Sequence, residues 1–202
     1  MSKRHRFEEI LETEFRWPHT GDLPFKPAAA ELGNAVVSED VAIRFVAMIE
    51  GYKLGADCMV ERAGDNSIDR DQLVYPVIFN YRQFIELSLK RQLMVFGDGV
   101  GIEPNWKTHD LVPLWSAFAD MLDRYGTTDP DYADGIVAQV VAEFSKIDPN
   151  SFSYRYPVDT KGNALPVTLD ALDLAQLMDV MNGVAGFFTG CDAYLSDLRG
   201  RG

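Results

Sequence analysis

Residues that bind metals or carry redox chemistry are scarce in this chain, which has two cysteines and three histidines among 202 residues. Cys58 and Cys191 belong to no CxxC or His-rich spacing, and both fall in apolar helical patterns, where a free cysteine behaves as a small buried hydrophobe. That reads as free thiols in a reducing compartment, not a disulfide framework. His5, His19 and His109 form no HxxxH or HExxH pair, so neither a metal site nor a cofactor is expected. Basic residues are also few: 19 Lys and Arg stand against 31 Asp and Glu, for a net charge of −12. An acidic field repels polyanions, which excludes a broad DNA-binding surface and leaves room only for a local basic pocket. Long apolar runs are missing. Asp179 and Asn182 interrupt the most apolar stretch, and the basic start (Lys3, Arg4, Arg6) leads straight into Glu8 and Glu9. Neither a membrane span nor a secretory signal is read here, and the expectation is a soluble cytoplasmic protein.

What is present is helical periodicity. With 47% hydrophobic residues the chain can bury a substantial core. Residues 1–37 read as an arm packed on the domain, with Phe7, Ile10, Leu11 and Phe15 on one face of a short helix. Pro18, Gly21, Pro24 and Pro27 then break regular structure. Residues 38–202 read as the domain. Ser38 is the expected cap of a first helix burying Val41, Phe45, Met48, Ile49, Tyr52, Met59 and Val60, ending near Gly64. A second helix starts between Asp69 and Tyr75, with Pro76 near its first turn, and runs to Phe96. Asp110 caps a third, with Pro113 in its first turn and Leu111, Leu114, Trp115, Phe118, Met121 and Leu122 inward. Asp129-Pro130-Asp131 opens a fourth that buries Ile136, Val137, Val140, Val141 and Phe144. The last runs from about Thr168 to Leu198, with Leu169, Leu172, Leu177, Met181, Val184, Phe188, Cys191 and Leu195 inward. The alternation of Phe152, Tyr154 and Tyr156 suggests an irregular or hairpin insertion before it. The fold class is therefore all-α, an up-and-down bundle of about five helices.

Three places carry chemistry. On the second helix Arg82, Glu86 and Lys90 are spaced by four and share a face. They read either as a solvated ion-pair stripe or as the polar wall of a pocket, because Tyr81, Phe84, Ile85, Leu87 and Leu89 fill most of the circumference. His109 opens the third helix, either as a positioned acid–base group or as a residue held by a backbone or carboxylate partner. Arg155 sits between Tyr154 and Tyr156 before Pro157. It suits contact with an anion or nucleobase, or else ties its loop to a carboxylate such as Glu86. Gly97-x-Gly99-x-Gly101 has neither phosphate-loop spacing and follows a helix, so it reads as a helix terminus and loop.

Three segments in order, Glu86-Leu87-Ser88-Leu89-Lys90, Thr108-His109-Asp110-Leu111 and Arg155-Tyr156-Pro157, resemble the HEPN superfamily of small helical bundles. The resemblance spans roughly residues 72–198. It implies an up-and-down bundle that often dimerises, with members that partner nucleotidyltransferases, bind nucleotides or act as metal-independent endoribonucleases. The ribonucleases share Arg-x4-6-His; here positions 102–104 are Ile102, Glu103 and Pro104, and no histidine follows Arg155. The expectation is thus a non-catalytic module that binds a nucleotide-type or other anionic ligand, or a protein partner. Its pocket would be lined by Arg82, Glu86, Lys90, His109, Arg155 and Tyr156, and a homodimer is expected. The alternatives are an endoribonuclease with a rearranged site, using His109 as acid or base and Arg82 or Arg155 to stabilise charge on RNA, or a purely structural dimerising protein. An exposed patch around Phe187 and Phe188 would favour the last.

Overall fold

The computed structural model describes residues 16–64, 66–149 and 151–200, and the arm residues Phe7, Ile10, Leu11 and Phe15 lie outside them. The chain divides into two units, 1–37 and 38–202. In the first, a 3₁₀ turn spans Glu31–Gly33. Two side chains organise its loops: Arg16 donates to Asp22 at 2.8 Å, and Asn34 accepts from the Ala28 amide at 2.7 Å.

The second unit is all-helical, with five long helices: α1 (Val41–Ala63), α2 (Ser67–Phe96), α3 (Leu111–Tyr125), α4 (Ala133–Ile147) and α5 (Leu174–Gly200). Each helix packs on the next, except that α5 also returns to α1 and α2, which places α2 at the centre. No strand occurs among the described residues; the insertion before α5 is irregular and holds one antiparallel bridge, Val158 to Ala164. Asp159 shapes that turn by accepting from the Lys161 and Asn163 amides.

Caps explain most helix starts. Asp40, not Ser38, caps α1 by accepting from Ile43 N, while Ser38 Oγ accepts from the Asp40 amide one step earlier. Asn66 caps α2, which therefore starts ahead of the expected window and carries Pro76 in its interior. The proline is tolerated because α2 is held by packing over most of its length. Asp110 caps α3 as read. Asp129 satisfies the Ala133 and Asp134 amides, which delays α4 to Ala133. Asp173 accepts from the Ala175 and Gln176 amides and starts α5 after Thr168, so Leu169 and Leu172 reach the core from the preceding loop.

The core differs from the periodic reading at edges. Val41, Met48 and Ile136 are exposed, because α1 and α4 lie at the rim of the bundle and bury narrower stripes than their apolar content allows. Cys58 is exposed too, contrary to its apolar surroundings in sequence, whereas Cys191 is partly buried and desolvation pushes its thiol up to about 12. Phe187 and Phe188 form no surface patch. They pack against Trp115, Phe118 and Phe84, ring centroids 6.0–6.2 Å apart, in the seam between α2, α3 and α5. The glycines after α2 serve its terminus: the Ile102 amide bonds the Gly97 carbonyl, Gly101 takes a left-handed φ of 72°, and any β-carbon on Gly97 would strike the Ile102 carbonyl.

Candidate functional site

The middle of α2 must cross the interior, since its neighbours α1, α3 and α5 surround it. Arg82, Glu86 and Lys90 therefore lie inside the bundle, exposed by only 0%, 2% and 5%. Unpaired, such charges would each cost several kcal/mol, about enough to unfold a domain of this size together. They are paired completely. Glu86 Oε2 accepts from Arg82 Nη1 at 3.1 Å, and Glu86 Oε1 accepts from Lys90 Nζ at 2.8 Å and faces His109 Nδ1 at 2.9 Å. Arg82 uses its remaining donors on backbone: Nε on Asp148 O at 2.9 Å, and Nη2 on His109 O at 2.6 Å. One guanidinium thus pins the end of α4 and the start of α3 against α2.

His109 stands at the outer end of this ladder, its side chain 62% exposed. The Glu86 carboxylate accepts hydrogen bonds and has none to give, so Nδ1 of His109 carries the proton in this contact. In the neutral ring that leaves Nε2 as the proton-accepting nitrogen. The backbone on either side of it is held locally: Thr108 Oγ1 accepts from the Asp110 amide, and Asp110 Oδ1 accepts from Val112 and from Ser145 Oγ of α4.

Arg155 is elsewhere. Its exposed guanidinium lies 5.2 Å from the ring centroids of Phe152 and Tyr156 and 5.8 Å from that of Phe79. It has no carboxylate partner among the described residues, so the loop is not tied to Glu86 through this arginine. The expectation of one pocket lined by all six residues is corrected accordingly. Arg82, Glu86 and Lys90 are sealed and mutually satisfied, and only His109, Arg155 and Tyr156 reach the surface. The two exposed ends still share a face of α2. Phe79, Gln83, Glu86 and Lys90 recur at helical spacing, and the seven steps from Phe79 to Glu86 span roughly 10 Å of axis.

Sequence reasoning missed the residue that holds the Arg155 segment. Asp148, fully buried, accepts from the Phe152 and Ser153 amides at 2.8 and 3.0 Å, and its other oxygen lies 3.8 Å from Arg82 Nε. Gln83 adds a bond to Ser151 Oγ at 2.9 Å. Asp148-Pro149 reads in sequence only as a helix breaker; its placement after a helix and ahead of an aromatic run was the available signal. Two buried atoms here have no hydrogen-bond partner, Asp148 Oδ2 and Tyr154 Oη. Burial raises the Tyr154 hydroxyl above its usual range, and the negative charge of Asp148 adds to that.

Among the described residues no group of three or more His, Cys, Asp and Glu is arranged to hold a metal ion, and no helix is long and apolar enough to cross a membrane. No protein-family model matches the chain, and no curated protein or solved structure matches it significantly.

Proposed function

We propose that this chain is a HEPN-like binding module without turnover of its own, and that it takes a nucleotide-type anion on the surface formed by Arg155, Phe152, Tyr156 and His109. The observation that carries this reading is the state of Arg155. In a chain with 31 acidic and 19 basic residues, an arginine that meets aromatic rings and no carboxylate is a cation held open. A guanidinium flanked by aromatic faces offers fork-shaped bonds to a phosphate and stacking to a base. His109, two turns along the same face, supplies a second polar contact. Isothermal titration with AMP tests this: saturable binding that Arg155→Ala removes supports it, and absence of saturation counts against it. Self-association belongs to the same reading, and light scattering in solution gives the mass directly.

A second reading draws on the His109–Glu86 contact. A histidine whose Nδ1 donates to a buried carboxylate presents Nε2 as a base, the arrangement a metal-independent ribonuclease needs. Arg82 does not support it as the charge-stabilising partner, since its donors are already engaged inside the bundle. RNA incubated with the protein in EDTA decides: cleavage lost in both His109→Ala and Arg155→Ala establishes the enzyme and removes the binding-only reading.

A further inference from the structure

The opposite side of α2 holds a groove that the site above does not use. It is a cavity of about 580 Å³ between α1, α2 and α5, within the size range of small-molecule sites. Its walls are apolar, built from Val46 and Ile49 of α1, Phe84 of α2 and Phe188 of α5. Charged residues line it as well, and what matters is which of them are already spent. Lys53 Nζ donates to Asp57 at 2.7 Å and to Asn182 at 2.6 Å. Arg91 donates to Asp192, and the second Asp57 oxygen accepts from Tyr81 Oη at 2.7 Å. Both cations are therefore neutralised by carboxylates of the groove itself.

Thr189 spends its hydroxyl on the Ala185 carbonyl, and beside the neutral Ser88 hydroxyl two groups remain, both acceptors. Glu50 makes no hydrogen bond or ion pair among the described residues and is exposed on α1. Gln92, 2% exposed, donates through Nε2 to the Phe188 carbonyl at 3.1 Å, which fixes its amide and leaves Oε1 without a donor. A buried carbonyl oxygen without a partner is a cost the fold carries unless something supplies an N–H or O–H. A cavity with apolar walls, an open carboxylate, an unfilled acceptor and no free cation selects against anions. The net charge of −12 draws positive ligands toward it.

We propose that this groove binds a small organic cation with an apolar body, of the alkylammonium or arylammonium class. The ammonium pairs with Glu50 and supplies a donor toward Gln92, and the hydrocarbon part packs on Phe84 and Phe188. This is independent of the Arg155 surface, which lies across α2 and prefers the opposite charge.

The test is isothermal titration of the full chain with three probes of similar shape: 2-phenylethylammonium, 2-phenylethanol and 3-phenylpropionate. The ammonium should saturate and bind about tenfold more tightly than the alcohol, as one charge-assisted hydrogen bond allows, and the carboxylate should not bind. Glu50→Gln, a change at an exposed position, should remove that tenfold advantage and leave the alcohol unaffected. Asp131→Asn removes the same charge at an exposed position outside the groove and should change nothing, while Gln92→Leu should weaken the ammonium while the chain still melts cooperatively. The proposal is overturned by equal affinity for ammonium and alcohol, by indifference to Glu50→Gln, or by an equal loss in Asp131→Asn. Failure of the ammonium to saturate up to roughly 10 mM, where even a weak small-ligand site would fill, also overturns it.

Discussion

Arg82, part of α2, and Arg155, which meets that helix through Phe79, do opposite things. Arg82 is wholly buried, spends its donors on Glu86 and two backbone carbonyls, and ties α3 and the end of α4 to the central helix. Arg155 is exposed, touches only aromatic rings, and keeps its fork open. In sequence both are arginines among aromatic and apolar residues. The difference is whether a partner is waiting, and partners are set by tertiary structure. Charge that is buried and paired is scaffold; charge that is exposed and unpaired is available to a ligand.

The largest expected effect comes from breaking the scaffold half. Glu86→Ala leaves Arg82 and Lys90 as buried cations without their shared carboxylate, and should cost about 3–5 kcal/mol in urea unfolding. A loss below about 1 kcal/mol would mean that water enters the ladder, and the contrast with Arg155 would blur. Replacing the whole ladder by apolar residues of similar size is expected to be much less harmful than that single change, because nothing is left uncompensated.

A smaller effect of opposite sign belongs to the segment joining the two regions. Tyr154 buries a hydroxyl with no partner, so Tyr154→Phe should stabilise the chain by about 1 kcal/mol. The same tyrosine sets an alkaline limit. Burial raises its folded value above the ordinary tyrosine range, so its neutral form is favoured by the fold. That contribution is complete below pH 10 and is lost as the pH rises through the folded value. Wild type should therefore lose stability more steeply than Tyr154→Phe above pH 10; parallel curves would show the hydroxyl reaching water.

At the acid end the expected effect is smaller still. Asn163, with the Lys161 amide, lowers the Asp159 carboxyl by hydrogen bonding in the turn before α5. A depressed carboxyl stabilises the fold above its unfolded value, and that stability drains as the pH falls through the folded one. Hydrogen-exchange protection at Lys161 and Asn163 should fall first on acidification, ahead of protection in α2. Simultaneous loss would tie the insertion more tightly to the core than its hydrogen bonds suggest.

Much of this fold was legible in the sequence because helix periods and caps are local. Asp110 before Leu111-Val112-Pro113 sets the start of α3 from within four residues, and the aromatic and leucine stripes of α3 and α5 face inward as their spacing requires. Edges were less legible. Val41 and Ile136 obey helical periodicity and still face solvent, since burial also needs a neighbour and the rim helices have few. The site residues were legible as residues but not as an arrangement. Arg82, Glu86 and Lys90 announce a shared face, yet nothing local says that Asp148, 66 residues beyond Arg82, turns a backbone carbonyl to that guanidinium.

The central claim separates a structural arginine from a functional one, and thermal melting of wild type and Arg155→Ala, each with and without saturating AMP, tests it most directly. Arg155 contributes only exposed cation–π contact, worth about 0.5–1 kcal/mol at such a site. The two proteins should therefore melt within a few degrees of one another when free, and only the wild type should rise with AMP. A large drop in the free variant, or an equal rise in both, would contradict the account by making Arg155 scaffold or placing the anion elsewhere.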